Sequence, residues 1–157
     1  NSPVQVVISG KKKALEKAKE LAMQAGAKTT VDLKVSGAFH STMMREAEER
    51  LGDELIFTQF KKARVPVICN FSATPVVEPQ ILKDYLTRQM TNPVRWEASM
   101  KLMLDKKIDT FIEIGPGKVL QGLLKRIDRK VKTFGVEDEK TLNTVIALLD
   151  RAIQKQG

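Results

Sequence analysis

Apolar residues recur along the chain at spacings that switch between two and three-to-four residues, and these switches predict an order of elements. Val4–Ser9 (VQVVIS) is a β-branched run closed by Gly10, which predicts a strand. Lys11 to Ala25 then sets Ala14, Ala18, Leu21, Ala22 and Ala25 on one helical face before Gly26 stops it. Thr29–Ser36 (TTVDLKVS) alternates as a half-buried strand does, and Met43, Met44, Ala47, Leu51 and Leu55 return to helical spacing. Val65–Phe71 (VPVICNF) is a further apolar run whose Pro66 marks a strand start or edge, because proline cannot donate to a ladder. A loop with Pro75 and Pro79 is expected next. Pro79 then opens a helix carrying Leu82, Tyr85, Leu86 and Gln89 on one face, as far as the Asn92-Pro93 break. Trp96, Met100, Met103 and Leu104 stripe another helix, followed by a strand over Phe111–Ile114 that ends in Gly115-Pro116-Gly117. Leu120, Leu123, Leu124 and Ile127 form the next stripe, Val131–Val136 reads as a strand, and Leu142, Val145, Ile146, Leu149 and Ile153 make a terminal amphipathic helix. Strands alternating with helices imply an α/β fold with a largely parallel sheet.

Composition narrows the class of molecule. In 157 residues, 42% hydrophobic and 29% charged content exclude intrinsic disorder and fibrous repeats, and no long linker or internal repeat divides the chain. Twenty-seven Lys and Arg against nineteen Asp and Glu leave a net charge of +8, which suits an acidic or phosphorylated partner and equally a basic soluble surface. The basic residues cluster at Lys11-Lys12-Lys13, at Lys61, Lys62 and Arg64, and from Lys125 to Lys132. None is interleaved with the aromatics that nucleic-acid readers use for stacking. The single cysteine, Cys69, excludes an internal disulfide and a multi-cysteine zinc site, and points to a reducing compartment. No apolar run approaches the roughly 18 residues of a membrane span. The start, Asn1-Ser2-Pro3-Val4, has neither an initiator methionine nor a signal-peptide profile, and reads as a cut end.

The only histidine, His40, follows a predicted strand at a junction with a helix, where parallel α/β folds gather their chemistry. With one histidine and no carboxylate or cysteine cluster at ligand spacing, no metal site is expected. Cys69 and Asn70 could complete a Cys-His-Asn set with His40, although the apolar strand-like run around Cys69 favours a small buried hydrophobe. Gly115-Pro116-Gly117-Lys118 follows a strand and opens a helix. The phosphate-loop spacing nevertheless fails, because Leu123 and Leu124 stand where Lys and Ser/Thr are required, and Leu120 replaces the glycine of a dinucleotide fingerprint. No Gly-x-Ser-x-Gly nucleophile elbow is present.

Four segments carry a resemblance. They are Asn1-Ser2-Pro3 with Gln5-Val6-Val7-Ile8-Ser9-Gly10; Gly37-Ala38-Phe39-His40-Ser41; Arg88-Gln89-Met90 with Asn92-Pro93-Val94-Arg95-Trp96; and Glu113 through Leu120. In order and spacing the chain resembles the malonyl-CoA:acyl carrier protein transacylases and the related acyltransferase domains of polyketide synthases, but only their C-terminal half. The resemblance implies a C-terminal part of an α/β-hydrolase-like domain over 37–157 and part of a ferredoxin-like small subdomain over 1–36. It also implies that the nucleophilic serine and the arginine that binds the malonyl carboxylate are not in this chain.

By the same resemblance His40 would be the general base and acid, and Gln89 would accept the other imidazole N–H on its backbone carbonyl. Phe39 would exclude an α-methyl branch and so favour malonyl over methylmalonyl. Asn1 and Val119 would line the pantetheine approach, and Asn70 would support the pocket. Malonyl-CoA and acyl carrier protein would be the partners, with no cofactor, metal, nucleic acid or membrane, in the cytoplasm or in an organelle of a eukaryote. Acidic carrier proteins would be steered by the basic cluster at Lys125, Arg126 and Arg129. Lacking the serine, the isolated chain would be inactive, and an incomplete sheet would leave it marginal in stability, prone to aggregate, or prone to pair with another copy or with the missing half. Two readings from other classes remain beside it: a non-catalytic basic module for nucleic acid or an acidic protein, and a Cys-His hydrolase using Cys69.

Overall fold

The computed structural model describes residues 2–154, apart from the side chains of Ala152 and Ile153. Asn1, and the side chain of Ile153 that would end the terminal stripe, therefore lie outside the described residues. The chain divides into two compact units, Val6–Ser99 and the remainder from Met100 on together with the first residues through Gln5.

In the first unit, α1 (Lys12–Gln24) ends where the sequence predicts. The Ala27 N–H donates to the Ala22 carbonyl (2.9 Å) and the Gly26 N–H to that of Met23 (3.1 Å), a Schellman closure with Gly26 left-handed at φ 93°. A side chain at position 26 would strain that turn. A short 3₁₀ turn, Thr42–Met44, leads into α2 (Arg45–Phe57), whose Glu46 and Glu48 sit in the first turn, at the positive end of the helix dipole. α2 buries Leu55 and packs on α3 (Pro79–Arg88), which begins with Pro79 at a position where the missing N–H costs nothing. Between them β1 (Val67–Ile68) and β2 (Pro75–Val76) form an antiparallel ribbon with Val67 opposite Val76. Tyr85 of α3 meets Phe71 edge to face at 5.2 Å, and the Arg88 guanidinium lies 4.6 Å from the centre of the same ring.

The second unit is built on β3 (Thr110–Ile114) and β4 (Lys132–Val136), paired in parallel from Thr110 opposite Lys132 to Ile114 opposite Val136. They are joined through α5 (Val119–Ile127), and α6 (Glu139–Gln154) packs against β4. Met100 from α4 (Trp96–Asp105), Leu124, Val131 and Val145 are its buried apolar residues. The β3–α5 turn needs two left-handed glycines, Gly115 and Gly117. Carboxylates already hold three amides around the start of α5: Glu113 accepts from Leu120 (3.0 Å) and Gln121 (3.1 Å), and Glu137 accepts from Gly117 (3.1 Å). The strand thus supplies its own anion to the helix it feeds. Asp138 does the same for α6 by accepting from the Thr141 N–H at 2.8 Å.

Three expectations need correction. Val4–Ser9 and Thr29–Ser36 are not strands. A strand exists only by pairing, and the described residues offer these segments no ladder. Val31, Leu33 and Val35 accordingly stand 74%, 58% and 62% exposed. Ser2 and Gln5 only close a tight turn at the start by exchanging backbone hydrogen bonds. The stretch expected as a loop around Pro75 is the strand β2, because an edge strand of a two-stranded ribbon can dispense with the proline's missing donor. The described sheet structure is therefore one antiparallel and one parallel pair rather than a single largely parallel sheet.

Burial raises the Glu113 carboxyl, but the N–H groups of Leu120 and Gln121 with the Gln121 side chain outweigh it and hold it below the ordinary carboxylate range. The Thr141 N–H and hydroxyl likewise lower Asp138. A depressed folded pKa contributes stability above the unfolded value, near 4, that is lost as pH falls through the folded one. Glu113→Gln is expected to lower the thermal midpoint by a few degrees at neutral pH. The Glu113→Gln/Asp138→Asn pair should also show a flatter loss of stability on acidification, followed by circular dichroism from neutral pH downward.

Candidate active site

A helix leaves its last four carbonyls without partners inside it, and α3 stops because Asn92-Pro93 cannot continue it. The carbonyls of Thr87 and Arg88 find donors beyond the helix. The Met90 N–H takes that of Thr87 (3.1 Å), and the Thr91 N–H (3.3 Å) and Asn92 Nδ2 (2.8 Å) share that of Arg88. Gln89, the C-cap residue, still has helical backbone angles and donates its N–H to Tyr85, so its carbonyl points onward along the helix. There it accepts from His40 Nδ1 at 2.9 Å.

A carbonyl can only accept, so this contact places a proton on Nδ1, and in the uncharged ring the Nε2 lone pair is then the free one. The Gln89 side-chain Nε2 stands 3.4 Å from the same Nδ1, but both are donors and no bond joins them; that amide donates instead to the Asn92 carbonyl at 3.0 Å. His40 is exposed, so Nε2 is open to a reacting group. Its backbone is left-handed at φ 61°, a conformation uncommon for residues other than glycine but favoured by histidine several-fold over most of them. The turn that imposes it is pinned by Ser41, whose hydroxyl donates to the Ala38 carbonyl at 2.7 Å and accepts from the Met43 N–H at 3.3 Å.

The other expected residues fall variously. Phe39, 42% exposed, precedes His40 and folds its ring towards Gly37. The Asn70 side chain is exposed, while its carbonyl accepts from the Arg95 N–H at 2.8 Å, tying the end of β1 to the chain beyond α3. Cys69 is half-buried, and burial raises its thiol pKa. Val119 opens α5 in the second unit and is 70% exposed. Of the basic cluster, Lys125 donates to the Val131 carbonyl and Arg126 to the Gln5 side chain, whereas Arg129 is exposed. Asn92 is the residue that periodicity does not mark, since in the sequence it reads as half of a helix-breaking Asn-Pro pair and as part of a motif, with no role of its own. Among the described residues no three His, Cys, Asp or Glu come together as metal ligands, and no helix is long and apolar enough to cross a membrane.

The α/β framework of this chain matches a known class. The acyl transferase domain family matches residues 1–154, and the chain belongs to it. Over 149 residues it is 46% identical to the malonyl CoA-acyl carrier protein transacylase of Bacillus subtilis, covering 95% of this chain and 47% of that protein. The acyl-carrier-protein-S-malonyltransferase of Bartonella henselae superposes with a TM-score of 0.84 at 35% identity, over 90% of this chain and 45% of that one. A malonyl-transacylase solved in complex with its type II PKS acyl-carrier protein does so at 0.80 and 33% identity, over 86% and 44%. The chain thus spans about half the length of the relatives it matches, and its α/β fold is part of an acyl transferase domain.

A raised thiol pKa keeps Cys69 protonated near neutral pH, and thiolate is the reactive form. Iodoacetamide should alkylate Cys69 in the folded chain at least about tenfold more slowly than in the urea-unfolded chain, as followed by intact mass.

Proposed function

We propose that this chain is the histidine-bearing part of a malonyl-CoA:acyl carrier protein transacylase of fatty acid synthesis. The observation that carries the reading is the Nδ1–H of His40 held on the Gln89 carbonyl, with Nε2 exposed as a base. In the reaction Nε2 takes the proton of a serine hydroxyl as its oxygen attacks the malonyl thioester. The C–S bond breaks, and the imidazolium returns that proton to the departing CoA thiolate. The thiol of phosphopantetheine then gives its proton to Nε2 and attacks the acyl-serine, whose oxygen leaves and is reprotonated by the imidazolium. The Gln89 carbonyl keeps the ring in one tautomer and supports the positive charge it carries between steps, the part a carboxylate plays in hydrolase triads. The serine belongs to the length of the relatives that these 157 residues do not span, so the chain alone is inactive.

In this reading Phe39, beside the base, selects malonyl over methylmalonyl, Asn1 and Val119 flank the pantetheine, and Asn70 supports the pocket from the end of β1. Residues 1–36 are part of the ferredoxin-like subdomain and 37–157 part of the large domain. The exposed Val31, Leu33 and Val35 support this division, since their alternation is that of a strand completed elsewhere. The carrier protein docks on the cluster of Lys125, Arg126 and Arg129, with Arg129 the freest of the three. A cytoplasmic location, or an organellar one in a eukaryote, accompanies the activity.

Transfer of radiolabelled malonyl from malonyl-CoA to holo acyl carrier protein should be absent with this chain alone. It should appear when the chain is combined with the N-terminal half of the Bacillus subtilis transacylase, and fall about 10²- to 10⁴-fold in His40→Ala. A folded but inactive combination would remove the reading. In the combined enzyme, Arg126→Glu/Arg129→Glu should raise the carrier-protein KM several-fold, less so as salt increases, and leave kcat alone.

A further inference from the structure

The hydrogen bond that fixes the histidine depends on where one peptide plane points, and α3 has already ended when that plane is reached. Two side-chain hydrogen bonds meet at that point. Asn92 Nδ2 donates to the Arg88 carbonyl (2.8 Å), which fixes the peptide immediately before Gln89, and also contacts Thr91 Oγ1 (3.2 Å). Gln89 Nε2 donates to the Asn92 carbonyl (3.0 Å), which ties residue 89 forward to residue 92. The two bonds close a reciprocal ring over residues 88–92. Thr91 within it is buried, and Pro93 after it keeps Asn92 out of helical conformation. With the peptide before it pinned and its own side chain anchored, Gln89 has little rotation left by which its carbonyl could swing away from Nδ1.

We propose that Asn92 is a positioning residue for the base: its side-chain amide, acting through the Arg88–Gln89 backbone, aims the carbonyl that selects the Nδ1–H tautomer of His40. This rests on the reading of His40 as the base. Without Asn92 the Arg88 carbonyl keeps only the longer Thr91 bond, the last turn of α3 frays, and the imidazole relaxes towards the Nε2–H form that water favours, which cannot accept a proton at the exposed nitrogen.

His40 is the only histidine, so its ring nitrogens give unambiguous ¹⁵N resonances in this chain. Above the ordinary imidazole titration range, the wild type should show the Nδ1–H tautomer. Asn92→Ala and the near-isosteric Asn92→Asp, which loses both donations, should move the population towards Nε2–H, and Gln89→Met, which cuts the other arm of the ring, should do the same. Combined with the Bacillus subtilis N-terminal half, the Asn92 variants should lose about 10- to 100-fold in kcat with little change in the malonyl-CoA KM. A fully Nδ1–H ring in folded Asn92→Asp, judged by circular dichroism, would overturn the proposal and leave Asn92 a helix cap. A wild-type combination that does not transfer malonyl would remove the functional reading instead, and the tautomer measurement would still decide the role of Asn92.

Discussion

Imidazole nitrogens are interchangeable until something distinguishes them. In this chain the distinction is made by a main-chain carbonyl that α3 cannot use itself, 2.9 Å from His40 Nδ1. Much of the first unit serves that contact. Phe71 and Tyr85 anchor α3 on the ribbon, Pro79 sets where the helix begins, and Asn92-Pro93 sets where it ends. On the other side, Ser41 pins the turn that holds His40 in its left-handed conformation. Neither half of the contact is a property of its residue alone. A histidine at φ 61° is costly unless the ring gains something, and a helix-end carbonyl facing solvent is only an acceptor for water.

The second unit applies the same physics to structure instead of chemistry. Helix starts need anions as helix ends need donors, and Glu113, Glu137 and Asp138 supply them from adjacent chain. The Gly115–Lys118 turn, which has the look of a phosphate cradle in sequence, is therefore already occupied by carboxylates of its own fold. Lys125 is similarly committed to the Val131 carbonyl, which closes the turn between α5 and β4.

What was legible in the sequence divides along the same line. Helices depend on neighbours three and four residues away, and the six α-helices among the described residues follow their apolar stripes, with Gly26 and Pro79 as their punctuation. Strands depend on a partner, and Thr29–Ser36 has the alternation without one. β2 escaped notice because Pro75 reads as a breaker unless the strand is known to lie at an edge. His40 was marked by its place after a predicted strand, but its partnership with Gln89 was readable only through the resemblance of their flanking motifs, since nothing local relates residues 49 positions apart. Asn92 was visible as a stop signal and silent about its hydrogen bonds, which exist only once the turn has formed.

Residue 89 gives the histidine its backbone carbonyl, so a substitution there can loosen the aim of the acceptor but cannot remove it. Length is another matter. Each residue in an α-helix advances the axis by about 1.5 Å and turns it by about 100°. Deleting or inserting a single residue between Pro79 and Gln89 would therefore rotate the acceptor away from His40 while leaving every chemical group present. The ten-residue span of α3 is a reading frame for the site, one in which indels matter more than spelling.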